Sequence, residues 1–398
     1  MKIDDSRTCA VRAGIESDPH HGAVVPPIHL SANFSFAGFD GKREYDYTRS
    51  GNPTRDHLAA AIAELEGAYG GVVTASGMAA VTLVVQLLRP GDLLLAPHDC
   101  YGGTHRLLRA LASRGNFDVE CVDMTAADGP AKVRSRQPRL LWIETPSNPL
   151  LRIADIAALA EAGHDCGTVV VADNTFLSPA LQRPIDLGAD IVLHSTTKYL
   201  NGHSDVVGGA VVAREAAVLD ELSWWANCLG LAGAPFDAYL TLRGLRTLHA
   251  RMAVHLENAA AVADALTRSD AVTHVYYPGL PTHEGHDVAA RQQLGAGAMM
   301  SFELAGGEPA VRALLDGLRC FTLAESLGGV ESLIAHPATM THASMDAAAR
   351  DTAGITDSLL RLSVGIESTR DLLRDLGDGL DRAQSVARIS RTPLLAAL

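Results

Sequence analysis

The chain has 398 residues, a length that at roughly 150 residues per domain suggests two to three domains. Lys and Arg number 33 against 46 Asp and Glu, a net charge of −13, with 47% hydrophobic and 20% charged residues, a globular balance. Such an acidic chain is poorly suited to gripping nucleic-acid phosphates or lying on an anionic membrane, so neither is expected as a partner.

The N-terminus, MKIDDSRTCAVRAG, has no apolar core of the kind a signal peptide needs. Residues 1–48 lack a sustained helical or strand pattern, carry Pro26-Pro27, Gly38 and Gly41, and read as an extended arm. A helix is expected from GNPTR, with Thr54 as its cap and Leu58, Ile62 and Leu65 on one face. The uncharged stretch from Tyr69 to Leu88 matches a bilayer in length, but its Gly70, Gly71, Ser76, Gly77 and Gln86 favour a buried strand, a turn and a buried helix.

Apolar strands then alternate with helical stretches: 92–97, 117–123, 139–145, 168–173, 190–195 and 207–213, with helices near 78–88, 103–114 and 153–163. This pattern predicts an α/β domain over residues 49–245 with a mostly parallel sheet covered on both faces. Ala-rich helical material from about 236 to 268 holds a soft boundary. A smaller α/β domain over 246–398 follows, with strands at 272–277, 298–305 and 359–364 and helices at 308–318 and from 369. The six cysteines are scattered without a C-x-x-C pair, so neither a disulfide framework nor a metal site is expected, and reduced cytoplasmic thiols are.

Ligands collect at the carboxyl ends of strands in open α/β sheets. TVVVAD ends in Asp173, and DIVLHS runs through Ser195 and Thr197 to Lys198. A carboxylate at one strand end and hydroxyls before a lysine at another suit pyridoxal phosphate (PLP): the lysine forms a Schiff base, the carboxylate keeps the pyridine nitrogen protonated, and small donors hold the phosphate. A capping aspartate, turn-forming hydroxyls and a solvated lysine would explain the same residues one by one. Gly77 and Met78 in TASGMAA open a helix whose first amides suit an anion, or form an ordinary glycine-containing cap. Tyr47 and Arg49 in YDYTRSGNPT share one side of an extended segment and suit a phosphate clamp, or a surface turn.

The segments YDYTRSGNPT, TASGMAA, HDCYGGTHR, ETPSNP, VADNTFLSPALQRPIDLGADIVLHSTTKYLNGHSDVVGG and TLAESLGGVESLIAHPATMTHASM closely resemble the PLP-dependent enzymes of cysteine and methionine metabolism, in order along nearly the whole chain. The resemblance implies an aspartate-aminotransferase-like (fold type I) large domain. It implies that Lys198 carries the cofactor and shuttles protons, that Asp173 pairs with the pyridinium, and that Tyr101 stacks on the ring as an acid/base at the substrate amine. Gly77, Met78, Ser195 and Thr197 would hold the phosphate. Tyr47 and Arg49 would reach the phosphate of a neighbouring subunit in a homotetramer built from two active dimers. Asn148 would bond the phenolic oxygen and border the substrate, Arg361 would fork onto the substrate α-carboxylate with Ser326 assisting, and Glu325 and Arg106 would meet the distal end.

APHDCYGG, WWAN and GAPFDAYLTLRGLRTL point, within that family, to the bacterial members that join an O-succinyl or O-acetyl homoserine to cysteine, the trans-sulfuration route to methionine. Members that cleave cystathionine stand next, because Tyr101, Glu325 and Arg361 do not separate the two. Sulfhydrylases and methionine γ-lyases are more distant; the latter typically carry a cysteine at the place of Gly103 and an apolar residue at that of Glu325. A dinucleotide-binding oxidoreductase has only Gly295-Ala-Gly297, with Met300 at the third glycine's place, and P-loop and G-x-S-x-G motifs are absent. A non-catalytic binding protein on this scaffold would have no need of Lys198 and its partners.

Overall fold

A computed structural model describes residues 5–341, 343, 350 and 353–391. Its contacts divide into two compact units. The first runs to Thr145 and takes in Ala154–Ala250 and Gln292–Leu294; the second takes Pro146–Ile153, Arg251–Arg291 and the chain from Gly295.

The arm is not extended throughout, since it opens with a short helix, α1 (Ser6–Arg12), capped by Asp5. The next helix, α2 (Pro53–Glu66), is capped by Asn52 and not by Thr54. Asn52 accepts the Thr54 and Arg55 amides at 3.0 and 3.3 Å, and Pro53 sits at the first helical position, where its missing N–H costs nothing. Thr54 instead ties down the arm, donating to the Pro27 carbonyl at 3.2 Å and accepting the His29 amide at 2.9 Å.

The chain continues through β1 (Gly70–Thr74), α3 (Gly77–Val84), β2 (Leu93–Pro97), α4 (Gly102–Ala112), β3 (Asp118–Val122), α5 (Gly129–Arg136), β4 (Leu140–Glu144), α6 (Ile156–His164), β5 (Val169–Asp173), α7 (Ser178–Leu181), β6 (Ile191–His194), β7 (Gly209–Ala213), α8 (Ala216–Leu229) and α9 (Pro235–Leu245). The strands form one seven-stranded sheet in the order β1-β7-β6-β5-β4-β2-β3. β7 runs antiparallel to both its neighbours and the other pairings are parallel. Central strands are near-continuous apolar runs because both faces are covered: Leu94, Leu140, Trp142, Val171, Ile191 and Leu193 join one core with Ala80, Leu83 and Val84 of α3. β2 and β4 are neighbours although β3 comes between them in sequence, so the strand order reverses there, the place where such sheets bind ligands.

The long helical stretch is two helices, α9 and α10 (Leu248–Thr267), broken at residues 246–247. The second unit holds β8 (Val272–Tyr276), α11 (His286–Gln292, all but its last residue), β9 (Met299–Leu304), α12 (Gly307–Leu315), β10 (Thr322–Leu323), β11 (Leu333–Ala335), β12 (Leu359–Ser363) and α13 (Thr369–Arg391). Its five strands are ordered β10-β11-β12-β9-β8, and only β10–β11 is parallel. Among the described residues no helix is long and apolar enough to cross a membrane.

Candidate active site

In the first unit, β4, β5 and β6 end in register, and their carboxyl ends carry Glu144, Asp173 and the run from His194 through Ser195 to Lys198. Asp173 accepts the Thr175 amide at 3.0 Å. Burial raises its proton affinity above the usual carboxylate range, and the Thr175 hydrogen bonds oppose that rise. Among the described residues no cation is paired with this carboxylate, and a pyridinium N–H would be a fitting partner for it. Thr175 also accepts the Ser195 amide on its hydroxyl at 2.9 Å, tying the ends of β5 and β6 together.

Ser76 caps α3 by accepting the Ala79 amide at 3.0 Å, and the amides of Gly77 and Met78 lie where no preceding carbonyl can reach them. Gly77 is pressed against Ser195: a Cβ there would lie 2.8 Å from the Ser195 Cβ and 3.0 Å from its hydroxyl. Free helix amides beside a serine hydroxyl suit a phosphate. Thr197 is arranged differently. Its hydroxyl donates to the Gly208 carbonyl at 3.2 Å and accepts the Gly208 amide at 3.0 Å, closing a loop.

Tyr101 starts α4 with its ring exposed, and its amide is held by the Glu144 carboxyl at 2.9 Å. Its ring and the Met78 sulfur both close on Gly103, where a Cβ would lie 2.6 Å from the Tyr101 ring and 2.9 Å from Met78. A cysteine at this position would have to displace one of them. Glu144, in a strand that reads as core, is a site-facing group that sequence reasoning missed; its only signal is an acid at the end of an apolar run. Arg106, one turn along α4, is exposed.

Tyr47 and Arg49 lie together in the arm, the guanidinium carbon 5.7 Å from the ring centroid. Within its own chain Arg49 donates to Asn227 of α8, to the carbonyl at 2.7 Å and the side chain at 2.9 Å.

In the second unit Arg361 is buried in β12 at 3% exposure, forking to the Asn148 Oδ1 and the Ser326 carbonyl, both at 2.9 Å. Asn148 is itself buried. Ser326 holds that carbonyl in place from a left-handed backbone, φ 87°, which L-residues adopt at a cost. Glu325 beside it is exposed.

Residues 7–381 match the family described as Cys/Met metabolism PLP-dependent enzyme. The chain is 55% identical over 377 residues to a cystathionine gamma-synthase of Escherichia coli (strain K12), covering 94% of this chain and 98% of that one. A cystathionine gamma-lyase of Dictyostelium discoideum is 45% identical over 94% of this chain and 97% of its own length. Among solved structures, cystathionine gamma synthase from Xanthomonas oryzae pv. oryzae in complex with cystathionine is 64% identical with a TM-score of 0.95, covering 96% of this chain and 99% of that one. The match spans both compact units from α1 into α13, and this chain belongs to the Cys/Met metabolism PLP-dependent enzymes.

Proposed function

We propose that this enzyme joins an O-acylated homoserine, succinyl or acetyl, to L-cysteine by γ-replacement, giving L-cystathionine and the free acid. The observation that carries the choice is the 64% identity to a synthase seen in complex with cystathionine. Bound PLP supplies an electron sink that acidifies the substrate's Cα and then Cβ protons.

The chain's own groups then have separate tasks. Asp173 keeps a proton on the ring nitrogen. The Gly77 and Met78 amides and the Ser195 and Thr197 hydroxyls grip the phosphate, the Thr197 hydroxyl turning from Gly208 to do so. Tyr101 covers the ring and exchanges a proton with the substrate amine. Arg361 binds the α-carboxylate through its planar fork, kept in one orientation by Asn148 and the Ser326 carbonyl. Asn148 also borders the cofactor's phenolic oxygen. Lys198 takes the Cα proton and passes it on; loss of a Cβ proton then lets succinate or acetate leave Cγ, the cysteine thiolate takes its place, and protons are returned to Cβ and Cα as cystathionine is released. Glu325 and Arg106 meet the distal ammonium and carboxylate.

We also propose that the arm serves a neighbouring subunit, with Tyr47 and Arg49 completing that subunit's phosphate site in a homotetramer of two active dimers. Val24, Leu30, Phe36 and Phe39 of the arm are exposed apolar residues, which supports a partner surface there. Free thiols at all six cysteines suit a cytoplasmic enzyme.

Cleavage of cystathionine is the second reading, favoured by the 45% identical lyase. The deciding experiment compares the rate of cystathionine formation from O-succinylhomoserine or O-acetylhomoserine plus cysteine with the breakdown of cystathionine alone. Faster formation is expected; faster breakdown makes the enzyme a lyase.

A further inference from the structure

Behind the ends of β5 and β6 lies a polar cluster that none of the roles above uses. Glu66, the last residue of α2, is fully buried at 0% exposure. Its Oε1 accepts from the Asn174 side-chain amide at 2.8 Å and from His194 Nε2 at 2.6 Å. An ionised carboxylate only accepts, so the imidazole is the donor. Oε2 of Glu66 and Nδ1 of His194 are buried with no partner among the described residues. The cluster continues away from the strand ends: Asn174 also donates to the Gln182 carbonyl at 2.8 Å and accepts from the Gln182 side chain at 3.1 Å.

The place of this cluster follows from strand geometry. Asp173 is paired with Leu193 in the parallel β5–β6 ladder, and side chains alternate between faces. Asn174 and His194 therefore share one face, where Glu66 holds both. The same alternation turns Asp173, and Ser195 just past the strand, to the opposite face. One carboxylate thus grips the residue after Asp173 and the residue before Ser195. It sets the spacing of the two strand ends from behind, while Thr175 ties them by its bonds to Asp173 and the Ser195 amide.

Burying an acid at this depth is costly unless its bonds are well made, and a purely apolar contact between α2 and the sheet would avoid that cost. What the acid provides is direction: two charge-assisted bonds fix two strand ends against one point. We propose, on the cofactor reading above, that Glu66 is a positioning residue for PLP, holding Asp173 and Ser195 at the separation that lets one grip the ring nitrogen while the other grips the phosphate.

The test is Glu66→Gln, which keeps the size and leaves an oxygen that can accept from Asn174 and His194 at the place of Oε1, but removes the charge and sets an NH2 group at the unpartnered place of Oε2. The cofactor-free proteins are titrated with PLP, following the visible absorption band, and substrate KM is then measured at saturating cofactor. The expected result is a PLP dissociation constant raised at least about fivefold, with an altered band and a KM within about twofold of the parent, because both bonds behind the cofactor lose their charge assistance and a buried amide donor is left unpaired, while nothing changes at the substrate carboxylate. Unchanged PLP affinity and an unchanged band in a folded E66Q overturn the proposal. Should E66Q not fold, His194→Gln, which leaves the Glu66–Asn174 bond in place, is read by the same two criteria. A parent protein that forms no visible band with PLP removes the cofactor reading and this proposal with it, whereas a normal parent beside a normal E66Q removes the proposal alone.

Discussion

Glu144 and Asp173 stand opposite one another in the β4–β5 ladder, two carboxyl groups whose proton affinities are both raised. Burial is the larger cause for each; for Glu144 the neighbouring Asp173 charge adds to it, and the Tyr101 amide works against it. Raised folded values mean that the folded chain keeps protons the unfolded chain has released. The resulting stabilisation is complete below the unfolded carboxylate value of about 4 and is lost as pH rises through the folded values. In the cofactor-free protein, Glu144→Gln removes one titrating member while retaining an acceptor for the Tyr101 amide. The thermal midpoint of the parent, relative to E144Q, should therefore fall as pH rises from about 4 into the neutral range. Parallel midpoints across that range would show that Glu144 gains no protection from ionisation.

The Arg361–Asn148 bond predicts a charge effect. Asn148→Asp would set a carboxylate 2.9 Å from the guanidinium, at the distance now held by the amide oxygen. The new anion would compete with the substrate α-carboxylate for the same cation, so KM for the homoserine ester should rise about tenfold or more. Arg361→Lys should raise KM to a similar degree, since one ammonium cannot hold Asn148 and the Ser326 carbonyl in a planar fork. Steady-state kinetics decide it: normal KM values in both variants would place the carboxylate elsewhere.

Asp173 and the Ser195–Lys198 run were legible because a strand's carboxyl end is visible in sequence as an apolar run that stops at polar groups. Glu66 was not. It is one acid at the end of a helix, indistinguishable there from a solvated one, and its partners lie 108 and 128 positions away. Glu144 was hidden for a related reason, since its meaning depends on the register of β4 against β5, which no single strand records. The antiparallel direction of β7 was equally unreadable, because a buried apolar strand carries no mark of direction. β10 and β11, with two and three residues, are too short for any period to show.

Gly77 gives a steric prediction. It begins α3, where alanine would ordinarily be the better helix former. The contact with Ser195 overrules that preference, because a Cβ would come within 2.8 Å of the Ser195 Cβ. Gly77→Ala must push the helix start away from Ser195, separating the amides and hydroxyl proposed to share one phosphate. The PLP concentration needed to saturate the visible band should rise about tenfold, while far-UV circular dichroism stays that of the parent. Unaltered saturation would remove the phosphate from this corner.

Arg49 offers a test of the subunit arrangement that needs no structure of the assembly. Bonded to Asn227 in its own chain, it reads as a local strut; serving a neighbour, it completes a site that its own chain does not use. Arg49→Ala and Lys198→Ala should each be nearly inactive as pure proteins. When the two are unfolded, mixed in equal amounts and refolded, half the active dimers pair one variant chain with the other. In such a dimer the site of the R49A chain has its own Lys198 and receives an intact Arg49 from the K198A chain, while the other site lacks both. Activity should therefore return to about one quarter of that of the parent treated in the same way, the proportion set by random pairing in a two-fold dimer. If Arg49 acts only within its own chain, neither site of a mixed dimer is complete, and the refolded mixture stays as inactive as its components.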